Sequence, residues 1–119
     1  MNLTNEQIDK MEAGREMDAL IAENVFCAKV NKKHHTAIIK EQIGYSFDIN
    51  KTGGIRSYST DIACAWEVVE KLKFNILPVE PGWGAGTNIY KDDDIWANAP
   101  TAPLAICRAG LKAVINNDR

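Results

Sequence analysis

The chain has no long hydrophobic run, only three cysteines and no large excess of one charge. No stretch approaches the ~18 consecutive apolar residues of a membrane-spanning helix. The N-terminal residues also lack the basic start and apolar run of a signal peptide. The cysteines are an odd number at wide spacing, so they form no disulfide framework and indicate a reducing compartment. We therefore expect a soluble protein of the cytoplasm that makes no membrane contact.

The balance of charge restricts the range of partners. Fourteen basic and sixteen acidic residues give a formal net charge of −2, which provides no field that would attract nucleic acid or an anionic membrane. Lysines and histidines do cluster between Lys29 and Lys40 and could contact phosphates. No nucleic-acid motif accompanies them, so we expect a solvated surface there rather than a nucleic-acid site.

The composition is that of a folded protein. Hydrophobic residues make up 45% of the chain and charged residues 25%, as in ordinary globular proteins. A length of 119 residues fits one domain, residues 1–119, with enough core to fold without disulfides.

Helical signals occur at both ends of the chain. Thr4 and Gln7 have the capping-box spacing of a short helix within Thr4–Glu12, and apolar periodicity resumes over Arg15–Phe26. Prolines bracket the start of a last helix, predicted over Thr101–Asn116. The apolar seam of that helix consists of Leu104, Cys107, Leu111 and Val114.

A third helix is predicted over Thr60–Lys73. Ser59 and Thr60 are good N-cap residues, and Asp61 adds a favourable negative charge to the first turn. Apolar residues then recur at offsets of three and four, which predicts one buried stripe. The stripe consists of Ile62, Ala65, Trp66, Val69 and Leu72.

Strand signals are weaker. Thr36–Ile39 and Gly44–Ile49 favour one or two short strands of unassigned order, and Asn50–Gly54 has the composition of a turn or loop. Phe74–Val79 has strand character, with Pro78 indicating its end or an edge position.

A hairpin is predicted next. The glycine-rich stretch Pro81–Gly86 is interpreted as its turn and Thr87–Tyr90 as the returning strand. Helices interleaved with short, mainly antiparallel strands predict an α+β fold, a layered α/β/α sandwich in which helices cover the sheet. A sheet edge or face left uncovered would suit a homo-oligomer.

Three stretches carry a family resemblance: residues 13–23, residues 58–72 and residues 101–109. Read as AGREMDALIAE, YSTDIACAWEVVEKL and TAPLAICRA, they resemble the phage ABA sandwich domain family of small phage and prophage proteins, notably from Bacillus and its relatives. The resemblance implies an α/β/α sandwich, a phage or prophage origin and hence the cytoplasm of a bacterial host. It implies no catalytic residue.

The usual catalytic and metal-binding patterns are missing. Gly82, Gly84 and Gly86 are spaced as G-x-G-x-G, and the segment that follows them is predicted to be a strand rather than a helix. The pattern therefore matches neither a P-loop nor a dinucleotide-binding fingerprint. Neither the cysteines nor His34 and His35 show paired zinc-ligand spacing. The acidic run at 92–94 lacks the calcium-loop pattern, and no serine lies in a nucleophile elbow. We therefore expect a non-enzymatic protein without a metal or cofactor.

One segment favours a ligand site. A glycine-containing loop enters the third helix at its N-terminus, where free amides favour an anion. Arg56 could donate two hydrogen bonds, Tyr58 could stack, and Ser59 and Thr60 could add hydroxyls. Asp61 opposes an anion at the same place, and helix capping alone accounts for the two hydroxyls.

Two hypotheses follow. The first is a phage accessory protein that acts by binding a host or phage macromolecule. The alternative is a small-ligand-binding module that captures an anionic metabolite or nucleotide at Arg56, Tyr58, Ser59 and Thr60.

Overall fold

The computed structural model describes residues 3–31, 33–43, 47–87 and 95–115, with the backbone alone for residues 38–43 and 47–53. These ranges contain four helices and two antiparallel sheets of three strands each. In chain order the elements are α1 (Asn5–Lys10), α2 (Arg15–Asn24), β1 (Lys29–Asn31), β2 (Thr36–Ile43), β3 (Phe47–Gly54), α3 (Ile62–Leu72), β4 (Asn75–Val79), β5 (Gly82–Gly86), β6 (Trp96–Ala99) and α4 (Ala102–Ile115).

Helix α1 has the predicted capping box. The Gln7 amide donates to the Thr4 hydroxyl at 3.1 Å, and the Thr4 amide donates to the Gln7 side chain at 2.9 Å. The box satisfies two amides of the first turn that have no partner within the helix.

Helix α4 is the central element of the packing. It contacts the other three helices as well as β5 and β6. The helix begins where predicted, and there the Thr101 hydroxyl accepts a hydrogen bond from the Leu104 amide at 3.4 Å. Most of the predicted seam is buried, but Val114 is 37% exposed. The prediction that Val114 belongs to the packed seam is therefore wrong, since this side chain lies partly in solvent.

Two cations of α4 bind main-chain carbonyls of distant elements. Arg108 donates to the Met11 carbonyl at 2.9 and 3.1 Å and to the Asn98 carbonyl at 2.9 Å. One helical turn later, Lys112 donates to the Trp96 carbonyl at 3.0 Å and lies 2.7 Å from the Asp9 carboxylate. These contacts attach α1 and β6 to α4.

Helix α3 begins two residues later than predicted. Asp61 is its N-cap, and its carboxylate accepts the Ala63 amide at 2.9 Å. The prediction that Ser59 and Thr60 cap this helix is wrong, because Ser59 is buried and bonds elsewhere. Lys73 ends the helix in the left-handed conformation.

The second sheet has the order β4–β5–β6. Its strand β4 lies at an edge and contains Pro78, as predicted. The interpretation of Pro81–Gly86 as a turn is wrong, since Gly82–Gly86 is the central strand and Glu80–Pro81 makes the turn. Of the predicted return strand at residues 87–90, only Thr87 is among the described residues. Strand β6 was not predicted.

Glycine occupies the middle of this sheet because an indole lies on it. A Cβ added at Gly84 would lie 2.5 Å from Cζ2 of Trp96. One added at Gly86 would meet the Ile95 carbonyl oxygen first and then Cε3 of the same ring, at 2.7 Å. The Trp96 ring nitrogen donates to the Asn98 side chain at 3.0 Å. The glycines thus provide a close approach of a side chain to the sheet.

The first sheet has the order β1–β2–β3. It contains three strands rather than one or two, and residues 50–54 continue β3, so the loop prediction for Asn50–Gly54 is wrong. Pairing with β2 fixes this stretch: Asn50 lies opposite Lys40 and Gly54 opposite Thr36. Helices and antiparallel sheets together confirm the α+β fold class.

Candidate functional site

The predicted anion-site residues lie in the turn between β3 and α3. The Tyr58 amide donates to the Arg56 carbonyl at 2.9 Å, and the Asp61 amide donates to the Ser57 carbonyl at 2.9 Å. The turn is closed by its own main-chain bonds just before α3 begins.

Ser59 connects this turn to the start of α2. It is 1% exposed, and its amide and hydroxyl both donate to one carboxylate oxygen of Asp18, at 2.8 and 2.6 Å. Its hydroxyl also accepts the Gly14 amide at 2.9 Å. The polar atoms of Ser59 are therefore bonded to a carboxylate and a backbone amide inside the protein.

Tyr58 is an interior residue. Its side chain is 1% exposed and stacks on Phe26, with ring centroids 5.2 Å apart and an interplanar angle of 17°. Burial raises the pKa of its phenol to about 12, with a smaller contribution from the Glu67 carboxylate. The stacking face that sequence reasoning assigned to a ligand is turned to Phe26.

Arg56 and Thr60 lie at the surface. Arg56 forms an ion pair with Glu67 at 3.0 Å, with 59% of its side chain exposed. The Glu67 carboxylate, and then a hydrogen bond with the Cys64 thiol, raise the pKa of the guanidinium above its ordinary value. The structure does not gather the four residues around one cavity: two are interior and two are exposed. Anion binding at these four residues stays a prediction.

The candidate nucleophiles have different environments. Cys107 is fully buried, and desolvation raises the pKa of its thiol well above the ordinary value, followed by repulsion from the Asp18 carboxylate. Cys27 is exposed and Cys64 partly so. Within the described ranges, no group of three histidine, cysteine or acidic side chains could hold a metal ion. The acidic run at residues 92–94 lies outside those ranges.

No helix among the described residues is long and apolar enough to cross a bilayer.

The exposed apolar surface of α3 was missed by sequence reasoning. Ile62 and Trp66 lie one turn apart and are each 48% exposed, so their assignment to the buried stripe is wrong. Ala65, Val68 and Val69 make the buried side of this helix instead.

A signal for this surface is present in the sequence. Successive residues turn by about 100° around a helix, which places Val68 on the far side of Ala65 from Ile62 and Trp66. When Val68 is counted with the apolar residues, the middle of the apolar side of the helix shifts away from Ile62 and Trp66 and leaves them at its margin. We call this pair the α3 ridge.

Comparison with known proteins agrees with this fold. The family sequence model of the phage ABA sandwich domain matches residues 19–111 of this chain. A crystal structure of a phage protein from Bacillus cereus ATCC 14579 is similar, with 26% sequence identity, a TM-score of 0.64 and coverage of 88% of this chain and 95% of that one. No curated protein matches the sequence. The match over most of the chain confirms the expected phage relationship, and the chain belongs to the phage ABA sandwich domain family.

Proposed function

We propose that this phage protein is a non-enzymatic accessory protein that acts by binding another protein, of host or phage origin, through the α3 ridge. The observation that carries the proposal is the exposure of two large apolar side chains, Ile62 and Trp66, on one turn of a helix. Tryptophan is enriched among the residues that contribute most to protein–protein affinity.

Helix α3 holds the ridge in a fixed position. Asp61 caps its first turn, and Lys73 closes its last turn. The opposite side of the helix is buried against α4. A partner would therefore meet a preformed surface, which lowers the entropic cost of association.

The binding free energy that a partner could gain by covering Trp66 is large for one side chain. About half of it, 48%, is exposed. Aromatic side chains bury ~150–250 Å², so covering the exposed half would remove about 70–120 Å² from water, worth ~2–3 kcal/mol at ~25 cal/mol/Å².

The environments of the nucleophiles support a non-enzymatic role. Ser59 is bonded to Asp18 and Gly14, and the raised pKa of Cys107 keeps its buried thiol protonated near neutral pH. Both side chains are buried, so neither is placed to attack a bound substrate as a catalytic nucleophile must.

The test compares three immobilised proteins: wild type, Trp66→Ala and Trp83→Ala. Trp83 is the matched control because it is 39% exposed but lies on β5. We expect a protein from phage-infected cells to be retained by wild type and Trp83→Ala, and to be lost from Trp66→Ala. With that partner purified, Trp66→Ala should weaken binding about 30- to 150-fold, the equivalent of ~2–3 kcal/mol. Equal affinity for all three proteins would contradict the proposal.

The alternative, capture of an anionic metabolite or nucleotide, draws on the exposure of Arg56 near the first turn of α3. Its guanidinium is paired with Glu67 but remains largely in solvent. Native mass spectrometry of gently purified protein tests this function. A retained mass that is lost on unfolding, and absent from an Arg56→Ala variant, would support the alternative, whereas bare subunits would count against it.

A further inference from the structure

Among the described residues, the second sheet has two outer edges, one on β4 and one on β6. An outer edge presents main-chain N–H and C=O groups with which a strand of another chain can pair. These groups belong to alternate residues, because each residue of an antiparallel ladder points its N–H and its C=O to the same side. The groups that occupy these outward positions therefore decide whether an edge can be extended.

The outward positions of β6 are Trp96 and Asn98. Their carbonyls accept hydrogen bonds from side chains of α4: Lys112 donates to Trp96 at 3.0 Å, and Arg108 donates to Asn98 at 2.9 Å. The residue between them, Ala97, pairs with the central strand β5. Both outward carbonyls of this short strand thus already have a donor.

These bonds are stronger than those that a new strand could offer. Each donor is a cation, and a charge-assisted hydrogen bond is roughly twice as strong as one between neutral groups. Lys112 is only 8% exposed. A strand that approached β6 would have to displace this buried ammonium from its acceptor, which is costly.

Helix α1 holds the same two cations from the other side. The Asp9 carboxylate lies 2.7 Å from the Lys112 ammonium, and the Met11 carbonyl accepts two bonds from Arg108, at 2.9 and 3.1 Å. The helix also contacts β6 directly, and its Ile8 is fully buried. The cations therefore stay at the edge of β6 as long as α1 is docked.

Proline closes the opposite edge. Ala99 follows the outward Asn98, so it points its main-chain groups to Trp83, which lies opposite it on β5. Since Trp83 thus bonds to β6, the residue opposite it on β4, Pro78, points outward. Pro78 is exposed and has no N–H, so a new strand would find a ring where it needs a donor.

We infer that the second sheet is closed to strand addition at both edges, by Arg108 and Lys112 on β6 and by Pro78 on β4. These three residues, the edge guards, prevent the sheet from pairing with the same sheet of a second copy of this chain. A homo-oligomer would then form through another surface. The inference is independent of the proposed function, because neither edge includes the α3 ridge.

Sedimentation equilibrium over a range of concentrations tests the edge of β6. The double variant Arg108→Met, Lys112→Met removes both cations but keeps unbranched apolar stems that can pack on α4. We expect its weight-average mass to rise above that of wild type at equal concentration. Addition of Asn98→Pro removes the outward N–H of β6, as Pro78 does on β4, and should return the mass to the wild-type value.

Two further variants separate the loss of a guard from a loss of stability. Ser59→Ala removes buried hydrogen bonds between the α3 turn and α2 without uncovering an edge, so its mass should equal that of wild type. Pro78→Thr uncovers β4 but keeps every contact of α4, and its mass should rise. Far-UV circular dichroism checks that each variant is folded.

Three results would overturn the inference. The first is a wild-type mass for either guard variant in its folded form. The second is a rise in mass that Asn98→Pro leaves in place, which would assign the association to another surface. The third is an equal rise in Ser59→Ala, which would assign it to lost stability.

Discussion

Replacing Ser59 by alanine tests whether the buried bond between the α3 turn and α2 stabilises the protein. The hydroxyl donates to Asp18 at 2.6 Å and accepts the Gly14 amide at 2.9 Å. Alanine removes both bonds, while the Ser59 amide keeps its own bond to Asp18 at 2.8 Å. A hydrogen bond to a charged group contributes ~1.5–3 kcal/mol, and an amide left without an acceptor adds roughly 1 kcal/mol.

We therefore expect Ser59→Ala to lower the free energy of unfolding by about 2–4 kcal/mol, a large part of the ~5–15 kcal/mol of a typical domain. Urea unfolding followed by far-UV circular dichroism measures this loss as a lower midpoint at an unchanged slope. Thr60→Ala is the matched control, because the neighbouring hydroxyl is exposed and should change stability by less than about 0.5 kcal/mol. Equal midpoints for the two variants would refute the reasoning.

Two further predictions concern Tyr58 and Gly84. The pKa of Tyr58 is about 12 in the folded protein and ~10 when unfolded. The unfolded state thus loses its proton first, and the stability that the neutral phenol provides should fall as pH rises from about 10 to 12. Urea unfolding at pH 9 and 11 measures this decline, and Tyr58→Phe should make it shallower; an unchanged pH dependence would exclude Tyr58 as its source. Gly84→Ala should lower the free energy of unfolding by about 1–3 kcal/mol because its methyl group meets the Trp96 indole, and a thermal melt that matches wild type would contradict that close approach.

Local signals in the sequence were sufficient for several elements. The capping box of Thr4 and Gln7, the start of α4 at Thr101 and the edge position of Pro78 each depend on residues within one turn or strand. Their physical causes, an unpaired amide or a missing donor, operate over a few residues, so sequence reasoning finds them.

Other features depend on contacts between distant residues. The strand at Gly82–Gly86 looked like a turn because the groups that leave no room for side chains at its glycines belong to residues 95–100, on and around a later strand. Ser59 looked like a cap because its actual partner, Asp18, lies 41 residues away.

The α3 ridge was hidden for a related reason. Whether Ile62 and Trp66 are buried depends on which side of the helix meets α4, and the apolar periodicity alone was compatible with a stripe that included both. The predicted anion site likewise combined residues adjacent in sequence, whereas the fold turns Tyr58 and Ser59 inward and leaves Arg56 and Thr60 outside.

The position of α4 also bears on the order in which this protein can fold during synthesis. This helix is the last of the described elements to be made, yet α1, α2, α3 and the second sheet all pack on it. Until it emerges from the ribosome, the carbonyls that Arg108 and Lys112 bind must remain hydrated, and the six-residue α1 is too short to persist alone. The nascent chain should therefore stay sensitive to protease until α4 has left the ribosome, and then acquire resistance in one cooperative step.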